Sequence, residues 1–148
     1  MHHSKEQALS NTFHKIHRMF MNNVKQEANL IGINPTYHYI FMNLHDHKEG
    51  LSQSELCDLI HLKAPSVSLL LQQMEKEELI LREKSSNDNR LTIVKLTEKG
   101  KKLDSKLKQI FKKNDELMNS ALNDEEMNNL KLYLNKIMNK LKGEDKYV

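Results

Sequence analysis

Between Ser52 and Gly100 the spacing of apolar residues changes from helical to alternating and back to helical. Leu56, Leu59 and Ile60 fit a short helix, and Val67, Leu70, Leu71 and Met74 then recur at steps of three and four, one stripe of a second helix over roughly 64–77. Residues 79–83 and 91–96 are β-like, rich in Leu, Ile, Val and Thr, and the run from Ser85 to Arg90 between them has turn composition. Only a tight break at His61-Leu62-Lys63 separates the two short helices, which is the layout of a helix-turn-helix. The hairpin that follows carries an arginine at its tip. A helix able to enter a groove, followed by such a hairpin, makes a winged helix-turn-helix, an arrangement suited to duplex DNA.

Helix start signals frame this unit. Ser52-Gln-Ser-Glu55 is a capping box, in which hydroxyl and carboxylate each satisfy a free amide at the other end. Asn34-Pro35 reads as N-cap and first helical position of a helix through Tyr37, Ile40, Phe41 and Leu44 to near Gly50. Upstream, Leu9, Phe13, Ile16, Phe20 and Val24 put a stripe on a long helix over 5–31, which Gly32 suits as a stop. Downstream, Thr97 caps another long helix with Leu103, Leu107, Ile110, Leu117 and Met118 on one face. Asn123-Asp-Glu-Glu126 caps the last helix, whose apolar positions are Met127, Leu130, Leu134, Ile137 and Leu141.

The expected fold is therefore mainly α (α+β). At 148 residues it is one domain, with a DNA-reading lobe over 34–100 and helical dimerisation regions over 1–33 and 101–148. Terminal apolar faces that a small lobe cannot cover are expected to meet a second copy of the chain.

Aromatics make up 5% of the chain and Trp is missing, so Leu, Ile and Met must carry the packing, which suits helices. The net charge of +3 is modest, so a nucleic-acid role rests on where the cations stand. One cysteine, Cys57, excludes an internal disulfide and fits a reducing cytoplasm. No apolar run approaches the ~20 residues a membrane span requires, and no signal peptide is expected. His2-His3 are assigned no role.

The ordered set Leu51-Ser-Gln-Ser-Glu-Leu, Pro65-Ser-Val-Ser, Met74-Glu-Lys-Glu-Glu-Leu-Ile, Arg82, Asp88-Asn-Arg90 and Leu96-Thr-Glu-Lys-Gly100 resembles the MarR family of transcriptional regulators. With the flanking helices the resemblance covers nearly the whole chain. It implies a triangular homodimer with two recognition helices in successive major grooves and wings in the adjacent minor grooves. It also implies repression of nearby genes, relieved when a small phenolic or lipophilic ligand, an oxidant or a metal arrives. Two positions depart from the pattern. Glu78 stands where the family has Gly at the end of the recognition helix, so a different helix end is expected here. Leu69 stands where a polar or basic residue often reaches DNA, which moves the expected base readout onto its neighbours.

On this basis Arg90 is the principal contact, a permanently charged guanidinium on a thin hairpin entering a minor groove narrowed by A·T sequence, with Asp88 holding it in place. Ser66, Ser68, Gln72 and Gln73 form the polar side of the recognition helix; hydroxyls and free helix amides suit phosphate, and Gln can pair with adenine. Lys63, Lys84 and Arg82 are expected at phosphates, with an ion pair inside the domain as the other role for Arg82. A solvated turn pair for Asp88–Arg90 and a plain exposed helix face are the alternatives.

A sensor site is less defined. His17, Met21, Tyr37 and Phe41 could line a crevice for a small-molecule effector, against ordinary core packing. His14 with His17 and His45 with His47 lack the convergence zinc requires, so neither metal nor other cofactor is expected. The peroxide-sensing branch of the family has its reactive cysteine near the start of the first helix, where this chain has none. Cys57 lies among Leu56, Leu59 and Ile60 and reads as a packed, inert thiol. No Gly-rich phosphate loop or nucleophile elbow is present, so an enzyme is not expected. The competing function is a winged-helix protein-interaction module that does not bind DNA.

Overall fold

A computed structural model describes residues 8–60 and 62–143. The expected helical start at 5–7, the two N-terminal histidines and His61 of the break lie outside them. Helix α1, Leu9–Leu30, is followed by a 3₁₀ turn at Pro35–Tyr37 and by α2, His38–Leu44. Asn34 caps the turn by accepting the Thr36 amide at 3.0 Å. The second helix is thus shorter than its apolar pattern suggested. Its first turn is 3₁₀, and it stops at Leu44 because residues 45–49 carry no apolar side chain to bury and stand exposed.

Strand β1, Leu51–Ser52, leads into α3, Gln53–Leu59. The capping box forms as expected, with Ser52 accepting the Glu55 amide at 3.0 Å and Glu55 accepting the Ser52 amide at 2.8 Å. Of the three inward positions expected here, Leu56 and Ile60 are buried but Leu59 is 53% exposed. After the break come α4, Ala64–Lys76, and two strands, β2, Ile80–Lys84, and β3, Thr92–Leu96. The sheet is antiparallel in the order β1-β3-β2, with Leu51 opposite Val94 and Arg82 opposite Val94 from the other side. Two-residue β1 has no pattern a sequence could display. It pairs because Gly50, at φ +83°, leaves room where a Cβ would strike the Val94 carbonyl oxygen.

Helix α5, Glu98–Asn119, and α6, Asp124–Lys142, complete the order. The chain divides into two compact units, through Lys112 and from Lys113 onward. The first holds the core. Phe41, Ile40, Leu56, Leu71, Met74, Leu79, Ile80, Val94 and Leu107 are fully buried, joining α2, α3, α4, the sheet and the first half of α5. Burying such side chains contributes about 1.5–3 kcal/mol each. In the second unit the Asn123 capping box forms with Glu126, and α6 has no buried residue. No helix among the described residues is long and apolar enough to cross a membrane.

Candidate nucleic-acid interface

Helix α4 is amphipathic in the manner its spacing required. Val67, Leu70, Leu71 and Met74 face the core, and this fixes Ser66, Ser68, Gln72 and Gln73 on the exposed side. Lys63 occupies the N-cap, exposed, and its carbonyl accepts the amides of Ser66 at 2.9 Å and Val67 at 3.1 Å. Those two amides are therefore taken. An anion arriving at this end would meet the exposed Ser66 and Ser68 and the Lys63 ammonium, but not those two amides.

The wing is a closed hairpin. The Ser85 amide donates to the Leu91 carbonyl at 2.9 Å, and the Leu91 amide to the Asp88 carbonyl at 3.0 Å. Inside it Asp88 Oδ1 accepts the Arg90 backbone amide at 3.0 Å and the Arg90 Nε at 3.3 Å. One carboxylate thus sets both the turn and the root of the guanidinium, while the Arg90 side chain stays 91% exposed. Lys84 is exposed at the end of β2.

Arg82 does not share that freedom. Its Nε and Nη2 donate to the Glu75 carboxylate at 3.1 and 2.9 Å, a two-pronged pair between β2 and α4. The bond to Arg82 holds the Glu75 carboxyl below the usual carboxylate range, and the same bond raises the Arg82 guanidinium. The ion pair within the domain, one of the two roles expected for Arg82, is thus formed. Lys95 on β3 is likewise paired, with Glu83 at 2.7 Å. Sequence inspection could not find Glu75 or Glu83 as partners, since each pair joins different elements and no periodicity marks it.

The four residues expected to line an effector crevice differ in their surroundings. Phe41 and Tyr37 are core residues, stacked edge to face with ring centroids 6.3 Å apart. The Tyr37 hydroxyl donates to Glu77 Oε1 at 2.8 Å, just beyond the end of α4. His17 is exposed on α1 and Met21 is half-buried. A concavity of about 650 Å³ is lined by Glu49, Gly50, Glu83, Lys84, Ser86 and Lys95 among others, and by none of the four. Ordinary packing accounts for Tyr37 and Phe41. Cys57 is half-buried and packs against the core.

Residues 31–91 match the model of the MarR family. The HTH-type transcriptional regulator MhqR of Bacillus subtilis is 28% identical over 86 residues, which cover 58% of this chain and 59% of that protein. The uncharacterised HTH-type transcriptional regulator YdgJ of the same organism is 33% identical over 55 residues, 37% of this chain and 34% of that one. The matched stretches thus span less than two thirds of either relative. Among solved structures, MepR of Staphylococcus aureus in complex with DNA superposes with a TM-score of 0.80 at 25% identity, over 90% of this chain and 98% of that one. MepR described as a transcription regulator of the multidrug efflux pump MepA gives 0.70 at 26% identity over the same shares.

Proposed function

We propose that this chain is a MarR-family winged helix-turn-helix protein that binds double-stranded DNA as a homodimer and regulates transcription in the cytoplasm, as a repressor of a palindromic operator. The observation that carries the reading is the wing tip: Arg90 is 91% exposed yet held at its root by Asp88. A fully solvated cation on an ordered hairpin is the form a minor-groove probe must take. The exposed Ser66, Ser68, Gln72 and Gln73 on α4 supply the major-groove face, with Lys63 and Lys84 at the phosphates. The likeness to MepR, solved with DNA, supports the same reading. Residues 1–33 and 101–148 would form the dimer, and release by a small ligand or stress signal would act on the junction with the 34–100 lobe.

A second reading has one observation in its favour. Arg82 and Lys95 are both neutralised by carboxylates, which leaves the wing less cationic than its sequence, as a protein-interaction module would tolerate. Selection of bound duplexes from a random pool separates the two. The DNA-binding reading expects a symmetric site with half-sites about 10 bp apart. It also expects log K to fall with log salt by about 0.9 per phosphate neutralised. Failure to select any duplex, or a flat salt profile, leaves the interaction module.

A further inference from the structure

The exposed face of α4 has an apolar centre. Leu69 is 56% exposed, and it stands three and four residues from Pro65, Ser66, Gln72 and Gln73. On a helix of 3.6 residues per turn those residues surround it, so Leu69 points opposite the buried stripe of Val67, Leu70, Leu71 and Met74. Single exposed leucines are ordinary on protein surfaces. What matters here is its place and the chemistry of its neighbours.

Reading guanine from the major groove takes Arg or Lys, whose donors meet O6 and N7. The only cation within α4 is Lys76, in its last turn, and Lys63 lies outside the first. The middle of the helix therefore offers guanine no charged donor. It offers glutamine amides, which pair with adenine N6 and N7, and one apolar group, which matches only the thymine 5-methyl among the base edges of that groove.

Resting on the DNA-binding reading above, we propose that Leu69 packs against a thymine 5-methyl group, with Gln72 or Gln73 at adjoining adenine, so that α4 reads A·T pairs under its centre. The position at which the sequence departs from its family's polar contact is then a reading residue of a different kind. Leu69 is the specificity determinant, and a guanine beneath it is disfavoured.

Deoxyuridine supplies the test. It pairs as thymidine does and lacks only the 5-methyl group, which lies in the major groove away from the wing. The probe is the duplex that the intact protein selects from the random pool, with dT replaced by dU one position at a time. Wild type should lose about fourfold in affinity at one thymine per half-site, the worth of one buried methyl group. Leu69→Ala, at an exposed position, should keep the wild-type circular dichroism and melting temperature, bind the dT duplex more weakly, and no longer distinguish dT from dU. Three results overturn the proposal while leaving DNA binding intact: indifference of wild type to every dU, continued discrimination by Leu69→Ala, or selection of G·C pairs under the centre of both helices. If no duplex is selected at all, the DNA-binding reading falls and this inference falls with it.

Discussion

The Thr97 hydroxyl donates a 2.6 Å hydrogen bond to the carbonyl oxygen of Glu78, a residue held in the left-handed region at φ +61°. The same hydroxyl accepts the Gly100 amide at 3.0 Å, capping α5. Next to it Lys99 Nζ donates to the Glu77 carbonyl at 2.8 Å, and the Leu79 amide closes back on the Met74 carbonyl at 2.9 Å. The carbonyls left open at the end of α4 are thus taken up by the start of α5. The MarR pattern has glycine at position 78, and glutamate there predicts a different helix end. The structure corrects this: the left-handed turn is kept with glutamate in place, because contacts from Thr97 and Lys99 hold the adjoining carbonyls.

Keeping glutamate there costs about 1–2 kcal/mol in backbone energy. Glu78→Gly should therefore raise stability by about 0.5–1 kcal/mol, the remainder being lost to the freedom of glycine in the unfolded chain. The urea midpoint measures it. A variant no more stable than wild type would mean that the turn is unstrained.

Thr97→Val keeps shape and removes both hydrogen bonds, so a loss of about 1–2 kcal/mol is expected, while Thr97→Ser should recover most of it. Gly100→Ala should be at least as damaging, because a Cβ there would run into the Leu79 carbonyl oxygen. Equal melting temperatures for Thr97→Val and wild type would remove the clamp from the account.

The local pieces of this junction were legible in the sequence, and the joints between them were not. Capping at Ser52, Asn123 and Thr97 involves residues three apart, and the stripe of α4 repeats on its own helix, so one-dimensional spacing carries both. The Asp88–Arg90 turn is legible for the same reason. Arg82–Glu75, Tyr37–Glu77 and Thr97–Glu78 span 7, 40 and 19 residues and join separate elements, which no periodicity reports. Leu59 misled because a short helix at a surface shows an apolar residue whether or not a neighbour covers it.

The two arginines of the wing should part company under mutation. Arg90→Ala is expected to weaken duplex binding by about 1–3 kcal/mol with no change in melting temperature. Arg82→Ala should instead lower stability, by only about 0.5–1 kcal/mol because both partners are partly solvated. The Arg82 contribution has a pH signature. Glu75 titrates below its unfolded value, so the stability it lends is full above the ordinary carboxylate range and disappears as pH falls through the lowered value. The gap between wild type and Arg82→Ala should close in acid; a gap independent of pH would exclude the pair as its source.

Tyr37 carries the opposite signature. Burial, then the hydrogen bond and the charge of Glu77, push its hydroxyl far above the usual tyrosine range. The folded state therefore keeps a proton that the unfolded chain releases near pH 10, and stability falls as pH rises beyond that point. Lysines titrate in the same interval, so the comparison with Tyr37→Phe isolates the effect. That variant should lose about 1 kcal/mol at neutral pH and decline less steeply in alkali. Parallel alkaline profiles for the two proteins would contradict it.

Dimerisation can be tested from the second unit by itself. Helix α6 has no buried residue, and Tyr133, Met138 and Leu141 are 55%, 51% and 74% exposed, while Leu134 and Ile137 are half-covered. An apolar face of that extent along one helix needs a partner to become stabilising. If the partner is a second copy, the protein sediments at twice the chain mass. Leu134→Asp should then shift it to the monomer, because each subunit would have to bury a carboxylate in place of a leucine worth about 1.5–3 kcal/mol. The same variant should lose affinity for the two-half-site duplex far more than for a single half-site, since α4 and the wing are untouched. A wild-type protein that sediments as a monomer, or a Leu134→Asp dimer that still binds the full site, would remove α6 from the interface and reopen the role of the long helices.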